Sequence, residues 1–484
     1  MRGSTRGILA LSGILFLGVG LTGCSSETAA SPEANQGATT SANQVAAPEG
    51  ERTEPKLLSL GGNDATAVSA SNQHVDEALA LIKNGRLSDG LQRINLAIAT
   101  APTNANAFFE RGKLFDTLGQ TTGAIADYSV AVQLDPTNAR YVNQLGYHYL
   151  KRNVLQHAKA QFSRAIDLDS SYAVPYNNRA LVFIAEKRFD EAIADFETAL
   201  KLHPEYYDAL SNKGFAYYQS EQYDKALATY EVVLKKAAEK DKANVYNNRG
   251  LVYYHKREFD KAIDDFSQAI ALDPNNPQYF KHRMTTYSKM KNKEAEAEQD
   301  RERTMWLTRL GELNREIAQS PRESKKYLER AAMFESQTGD QYAQLALTNY
   351  EQAAKADPHN TSVFVMKAEY CSRQGDHEQA IIDCLNALQI EPENRSALSL
   401  LGDAHYALEQ FDQACKAYSR TGRIDNQVVT AYQKYAAQLK ANGQTAEAKT
   451  WQEKAAETAK IESLPSKPEP QQAPSFDPAL LDAQ

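Results

Sequence analysis

The chain has only four cysteines in 484 residues, Cys24, Cys371, Cys384 and Cys415, and so cannot carry a dense disulfide framework. It has no glycine-rich phosphate loop, since its glycines are scattered one or two at a time. Its nine histidines never pair at i,i+4 with a glutamate in the spacing of a metal-binding helix. There is no basic stripe: net charge is −8 and both signs are mixed along the chain, the wrong field for a nucleic-acid backbone. The apolar run from Ile8 to Leu21 falls short of the ~20 residues of a membrane-spanning helix.

What the chain does have is a repeated sentence. Tyr176 to Pro204 reads YNNRALVFIAEKRFDEAIADFETALKLHP, and Tyr246 to Pro274 reads YNNRGLVYYHKREFDKAIDDFSQAIALDP. Each reads as two short amphipathic helices joined by a turn. A small residue in the first helix recurs at Gly112, Gly146, Ala180 and Gly214, each 34 residues apart, and again at Gly250. The second helix carries Ala124, Ala158, Ala192, Ala226 and Ala262, each followed four residues later by a ring: Tyr128, Phe162, Phe196, Tyr230 and Phe266. Two antiparallel helices approach closely only where side chains are small, and rings one turn away fill the space between them. Prolines at 102, 136, 204, 274, 358 and 392 stop the helices between units. A unit this short buries its apolar face only by stacking on its own copies.

This pattern resembles the tetratricopeptide repeat over about 72–460. The resemblance implies an all-α solenoid, a right-handed superhelix of ten or eleven helix–turn–helix repeats, whose first helices line a concave groove that takes peptides or proteins. Units are expected at 71–104, 105–138, 139–172, 173–206, 207–242, 243–276 and a degenerate 277–310. The second helix of that last unit is expected to run on to about Gln319, with Trp306, Leu310, Leu313 and Ile317 on one apolar face, so that 311–323 is a helical connection. A second array follows at 324–462, and a Pro-rich disordered tail at 463–484. These repeats fill nearly all of the foldable chain, so neither a catalytic domain nor a cofactor is expected.

Asn178, Asn212 and Asn248 share one slot, two residues before the first-helix small residue, with Gln144 in the preceding unit. By the resemblance this slot faces the groove. Asparagine is a mediocre helix former, and a column of amides suits an extended peptide backbone. The alternative is that the amides bridge neighbouring helices. Beside the column run Tyr147, Phe215, Tyr218 and Tyr254, candidate contacts for apolar ligand side chains or else core rings. Some family members clamp a terminal carboxylate with Lys and Arg on flanking repeats. The matching positions here hold Asn143, Tyr147, Ser211, Phe215, Asp208, Asn212, Gln278 and His282, so that clamp is not expected. Cys371 and Cys384 stand where other units carry rings and Cys415 directly follows Ala414, so the three read as small buried hydrophobes, with one disulfide, Cys384–Cys415, as the alternative.

Arg2 and Arg6 precede the apolar run, which ends in Leu21-Thr22-Gly23-Cys24, the layout of an export signal over 1–23. The last four residues resemble the lipobox of bacterial lipoproteins. That resemblance implies cleavage before Cys24 and acylation of it, with Ser25 favouring the outer membrane. Several acyl chains, each worth about 0.8 kcal/mol per buried CH₂, anchor a protein durably. Residues 24–70 lack aromatics and read as a disordered tether reaching roughly 35–40 Å. The expected whole is an envelope lipoprotein, membrane-held through Cys24 and facing the periplasm, that adapts one protein to another. The alternative is a self-associating scaffold, and oligomeric state is left open. Cys24→Ala should move the protein from the membrane to the soluble fraction on cell fractionation; retention in the membrane would place the anchor elsewhere.

Overall fold

The computed structural model describes residues 65–462. The export signal, Cys24, the tail and nearly all of the tether lie outside the described residues. Among the described residues there are twenty-two α-helices, one short 3₁₀ turn and no strand. The chain divides into two compact units, with the boundary between Thr304 and Met305.

Unit 1 is a run of antiparallel pairs: α1 (Ala65–Lys83) with α2 (Leu87–Thr100), α3 (Ala105–Thr117) with α4 (Thr121–Leu134), and α5 (Ala139–Lys151) with α6 (Leu155–Leu168). It continues with α7 (Ala173–Ala185) and α8 (Phe189–Leu202), α9 (Tyr207–Gln219) and α10 (Tyr223–Lys236), α11 (Ala243–His255) and α12 (Phe259–Leu272), and α13 (Pro277–Tyr287). The first helix starts at Ala65, ahead of the boundary expected at 71. The unit ends within α14 (Glu294–Gln319), a helix of 26 residues.

Each pair is locked by one contact. A Cβ built on Gly112 would stand 2.7 Å from the Tyr128 ring, and the same figure holds for Gly214 against Tyr230 and Gly250 against Phe266. Only glycine or, with a small ring shift, alanine admits the ring, and Ala180 does so opposite Phe196. The rings Tyr128, Phe162, Phe196, Tyr230 and Phe266 are fully buried, as are the five second-helix alanines.

A second, polar lock joins α3 to α4, α7 to α8, α11 to α12 and α13 to α14. Arg111 makes a two-pronged ion pair with Asp127, Arg179 with Asp195, Arg249 with Asp265 and Arg283 with Asp300, at 2.7–2.9 Å. Each guanidinium also lies between two rings of its own helix, as Arg179 does between Tyr176 and Phe183. The planar fork and delocalised charge of arginine suit both contacts at once. Arg179 and Arg283 reach further, donating to Ser163 and Ser267 on the preceding second helix.

The turn inside each pair places one residue in the left-handed region. These residues are Gly85, Gly119, Asn153, Lys187, Glu221 and Arg257, with φ between 59 and 76°. Glycine adopts this conformation without strain, whereas the four others bear a cost of about 1 kcal/mol each.

Unit 2 opens with the rest of α14, where Leu313 and Ile317 are buried and Trp306 donates Nε1–H to the Met333 carbonyl at 3.1 Å. Four pairs follow: α15 (Ser324–Glu335) with α16 (Asp340–Ala356), α17 (Thr361–Arg373) with α18 (His377–Ile390), α19 (Arg395–Ala407) with α20 (Phe411–Thr421), and α21 (Asn426–Ala441) with α22 (Thr445–Glu462). Cys371, Cys384 and Cys415 are free and buried. Burial pushes their thiols up to about 11, 12 and 12 respectively, so they stay protonated and inert.

Asp195→Ala should lower the unfolding free energy in urea by about 3 kcal/mol, because it strands a largely buried guanidinium between half-buried rings. Asp89→Ala, at the exposed Arg86 pair, should cost less than about 1 kcal/mol.

Candidate functional site: the first-helix face of unit 1

Successive first helices touch along one side of unit 1, α5 with α7, α7 with α9, α9 with α11 and α11 with α13. That side is the crowded, inner one. The asparagine column lies on it, in the seam between helices. Asn178, Asn212 and Asn248 are 3%, 4% and 5% exposed. Asn178 Nδ2 donates to Asn143 Oδ1 at 3.1 Å, and Asn212 Nδ2 donates to Asn177 Oδ1 at 3.0 Å. Within each helix the neighbouring amides join, Asn177 to Asn178 and Asn247 to Asn248. His282 on α13 extends the ladder, its Nδ1 lying 2.7 Å from Asn247 Oδ1. A carbonyl oxygen only accepts, so Nδ1 carries the proton. Burial holds this imidazole down at about 4, neutral at ordinary pH. Asn178 and Asn212 therefore carry side-chain bonds from one repeat to the preceding one, and Asn248 is linked to the next repeat through Asn247.

Gln144 stands apart from that ladder. Its side chain bonds the Tyr128 hydroxyl, which donates to Asp116 Oδ2 at 2.8 Å. His148 Nε2 lies 2.9 Å from the same oxygen. Burial works to raise Asp116, but the bonds from His148 and Tyr128 outweigh it and the carboxyl falls below its usual range. This cluster ties α3, α4 and α5 together.

The rings of the face differ from the amides in being half-buried. Tyr147 lies under Lys151 Nζ, 5.7 Å from the ring centre. Phe215 packs 6.0 Å from Tyr218, and Tyr218 lies 6.2 Å from Tyr223 and 5.4 Å from His255. Tyr254 lies 5.5 Å from His255 and 5.8 Å from Phe259. The result is a continuous aromatic ledge where first helices end and second helices begin. Burial raises the Tyr218 hydroxyl to about 12 and lowers His255 below the ordinary imidazole range, so both are neutral. Sequence reading picked out Tyr218 and Tyr254 but not Tyr223, His255 and Phe259. The available signal was the aromatic pair five apart across the turn, Tyr218 with Tyr223 and Tyr254 with Phe259. The Arg–Asp locks were equally readable, as arginine with aspartate sixteen residues on, or seventeen at Arg283.

Among the described residues no group of three or more His, Cys, Asp or Glu could hold a metal ion, and no helix is long and apolar enough to cross a membrane.

Asn178→Ala should cost about 2 kcal/mol, since it strands the buried amides of Asn143 and Asn177. It should also speed hydrogen exchange in α7. Adding Asn143→Ala should cost less than the sum of the two single changes, and full additivity would dissolve the ladder.

Models of the tetratricopeptide repeat match residues 75–139, 143–205, 183–247, 243–276 and 361–394. No curated protein matches the chain. Among solved structures, YrrB, a TPR protein with an unusual peptide-binding site, is 20% identical over 39% of this chain and 96% of its own, with a TM-score of 0.31. PilW, a type IV pilus biogenesis factor, is 17% identical over 45% of this chain and 97% of its own, with a TM-score of 0.40. PilF of Pseudomonas aeruginosa is 17% identical over 55% of this chain and 97% of its own, with a TM-score of 0.30.

Proposed function

We propose that this chain, which carries tetratricopeptide repeats, is a protein-binding adaptor of the bacterial envelope, held by lipid on Cys24 at the outer membrane and facing the periplasm. Its partner lies as an extended segment along the first-helix face of α5, α7, α9 and α11. The observation that carries this reading is the half-buried state of Tyr147, Phe215, Tyr218 and Tyr254 beside a seam of buried amides that bond to one another. The core needs complete burial of its rings, as at Phe196 and Phe266; these four rings keep area for a ligand. Asn178, Asn212, Asn248 and Gln144 set the spacing of the face, and the rings make the contact. Burying the remaining apolar area, at about 25 cal/mol per Å², supplies the driving force. Residues 24–70, which by composition read as a tether, would let the array meet its partner at a distance from the lipid.

A photoreactive benzoylphenylalanine in place of Phe215 or Tyr254 should give discrete crosslinked partners in cells, whereas the same group at Leu385, exposed on α18 of unit 2, should not. Adducts with a second copy of the chain would replace the adaptor by a scaffold, and no adduct from either position would overturn the assignment of the face.

A further inference from the structure

Many rings of unit 1 already carry a cation supplied by the chain. Tyr246 and Tyr253 flank Arg249, Tyr217 takes Lys213 and Lys225, and Phe183 takes Arg179 and Arg188. The ledge at the turns of α9–α12 is different. Among the described residues no cation lies over the ring of Tyr218, Tyr223 or Tyr254 and no group hydrogen-bonds to their hydroxyls. Beside them stands Glu221, the left-handed turn residue, exposed and without an ion pair, close enough to act electrostatically on both Tyr223 and His255. The two basic side chains that border the ledge in sequence are engaged elsewhere: Lys225 donates to Gln222 at 2.7 Å and lies over Tyr217, and Lys256 is held by Asp224 at 2.6 Å and Glu258 at 3.8 Å. Arg257 follows it in the next turn, exposed to solvent. His255 contributes a neutral ring, stacked on Tyr223 at 6.2 Å. The ledge is thus a set of negative ring faces with a free carboxylate at its edge, complementary to a positive group.

We propose that the segment bound on the first-helix face carries a lysine or arginine, received by the Tyr218–Tyr223–Tyr254 ledge with Glu221 as its counter-charge. This rests on the reading of that face as a peptide groove and adds the chemistry of one ligand position. The ammonium or guanidinium lies over the rings, donates to the unengaged tyrosine hydroxyls and pairs with the Glu221 carboxylate. An arginine gains more than a lysine, because it stacks as well as pairs.

The test offers the immobilised full chain four pools of synthetic peptides, randomised except for a central Arg, Lys, Gln or Glu. The Arg and Lys pools should be retained about three- to fivefold over the Gln pool, the scale of an exposed cation–π contact, and the Glu pool least. Glu221→Lys should abolish the preference and Glu221→Gln should weaken it. Both alter an exposed turn residue, so the folded array stays intact. Tyr218→Leu with Tyr254→Leu should also abolish it, with the melting curve of the variant recorded alongside. Equal retention of the Arg and Gln pools, or a basic preference that survives Glu221→Lys, overturns the inference while leaving a peptide groove. Retention of no pool overturns the groove as well.

Discussion

The fold of unit 1 depends on the approach of a second-helix ring to a first-helix glycine or alanine. At Gly112, Gly214 and Gly250 the ring edge stands where a Cβ would be, 2.7 Å away. That clearance fixes how closely the two helices of a pair pack, and therefore where every other side chain of the repeat falls. Full burial of each ring stabilises the pair by about 2–3 kcal/mol. A pair of thirteen- or fourteen-residue helices is below the length at which helices persist in isolation. The stability of each repeat consequently comes from this contact and from the next repeat.

Apolar contacts hold the pairs together but do not by themselves fix registry, because a smooth apolar seam tolerates sliding. Two polar features supply it. Within a repeat, the Arg–Asp fork ties one point of the first helix to one point of the second, and the flanking rings prevent the guanidinium from swinging away. Between repeats, the asparagine ladder joins amide to amide across the α5–α7 and α7–α9 seams, and the His282–Asn247 bond does the same for α11 and α13. An apolar substitution at either place would leave buried partners unpaired, at a cost larger than the net value of the bond itself. Both features recur in only some of the repeats, and both depend on the spacing set by the rings and the small residues they meet.

Much of this was legible in the sequence. The period of Gly, Ala, ring and Pro identified the helix pairs, the packing residues and the all-α repeat architecture, because each of those residues is constrained by contacts inside its own repeat. The role of Asn178, Asn212 and Asn248 was not legible in the same way. Whether an amide on the inner face meets a ligand or a neighbour depends on how far apart successive first helices stand, a distance that no single repeat encodes. In unit 1 they stand close enough for side chains to meet, so the amides are used internally. The rings were ambiguous for the same reason, and their half-exposure emerges only when neighbouring repeats are in place. Tyr223 and Phe259 belong to second helices, outside the stretch in which a groove residue is sought. The differences in unit 2 have a local cause: Arg330 of α15 meets Asn349 rather than an aspartate, and Lys367 replaces arginine opposite Asp383.

The left-handed turn residues of unit 1 occur once per repeat, and only the first two are glycine. Asn153, Lys187, Glu221 and Arg257 bear local backbone strain that glycine would remove, in exchange for a side chain at one fixed point of each turn. Stacked helices advance by about 9 Å per layer, so one edge of the unit displays a row of neutral, positive, negative and positive groups at regular intervals. Such a row is a linear charge code written at the pitch of the solenoid rather than of the polypeptide. A surface whose own charges alternate at that pitch would match it in one register and be repelled one repeat away in either direction.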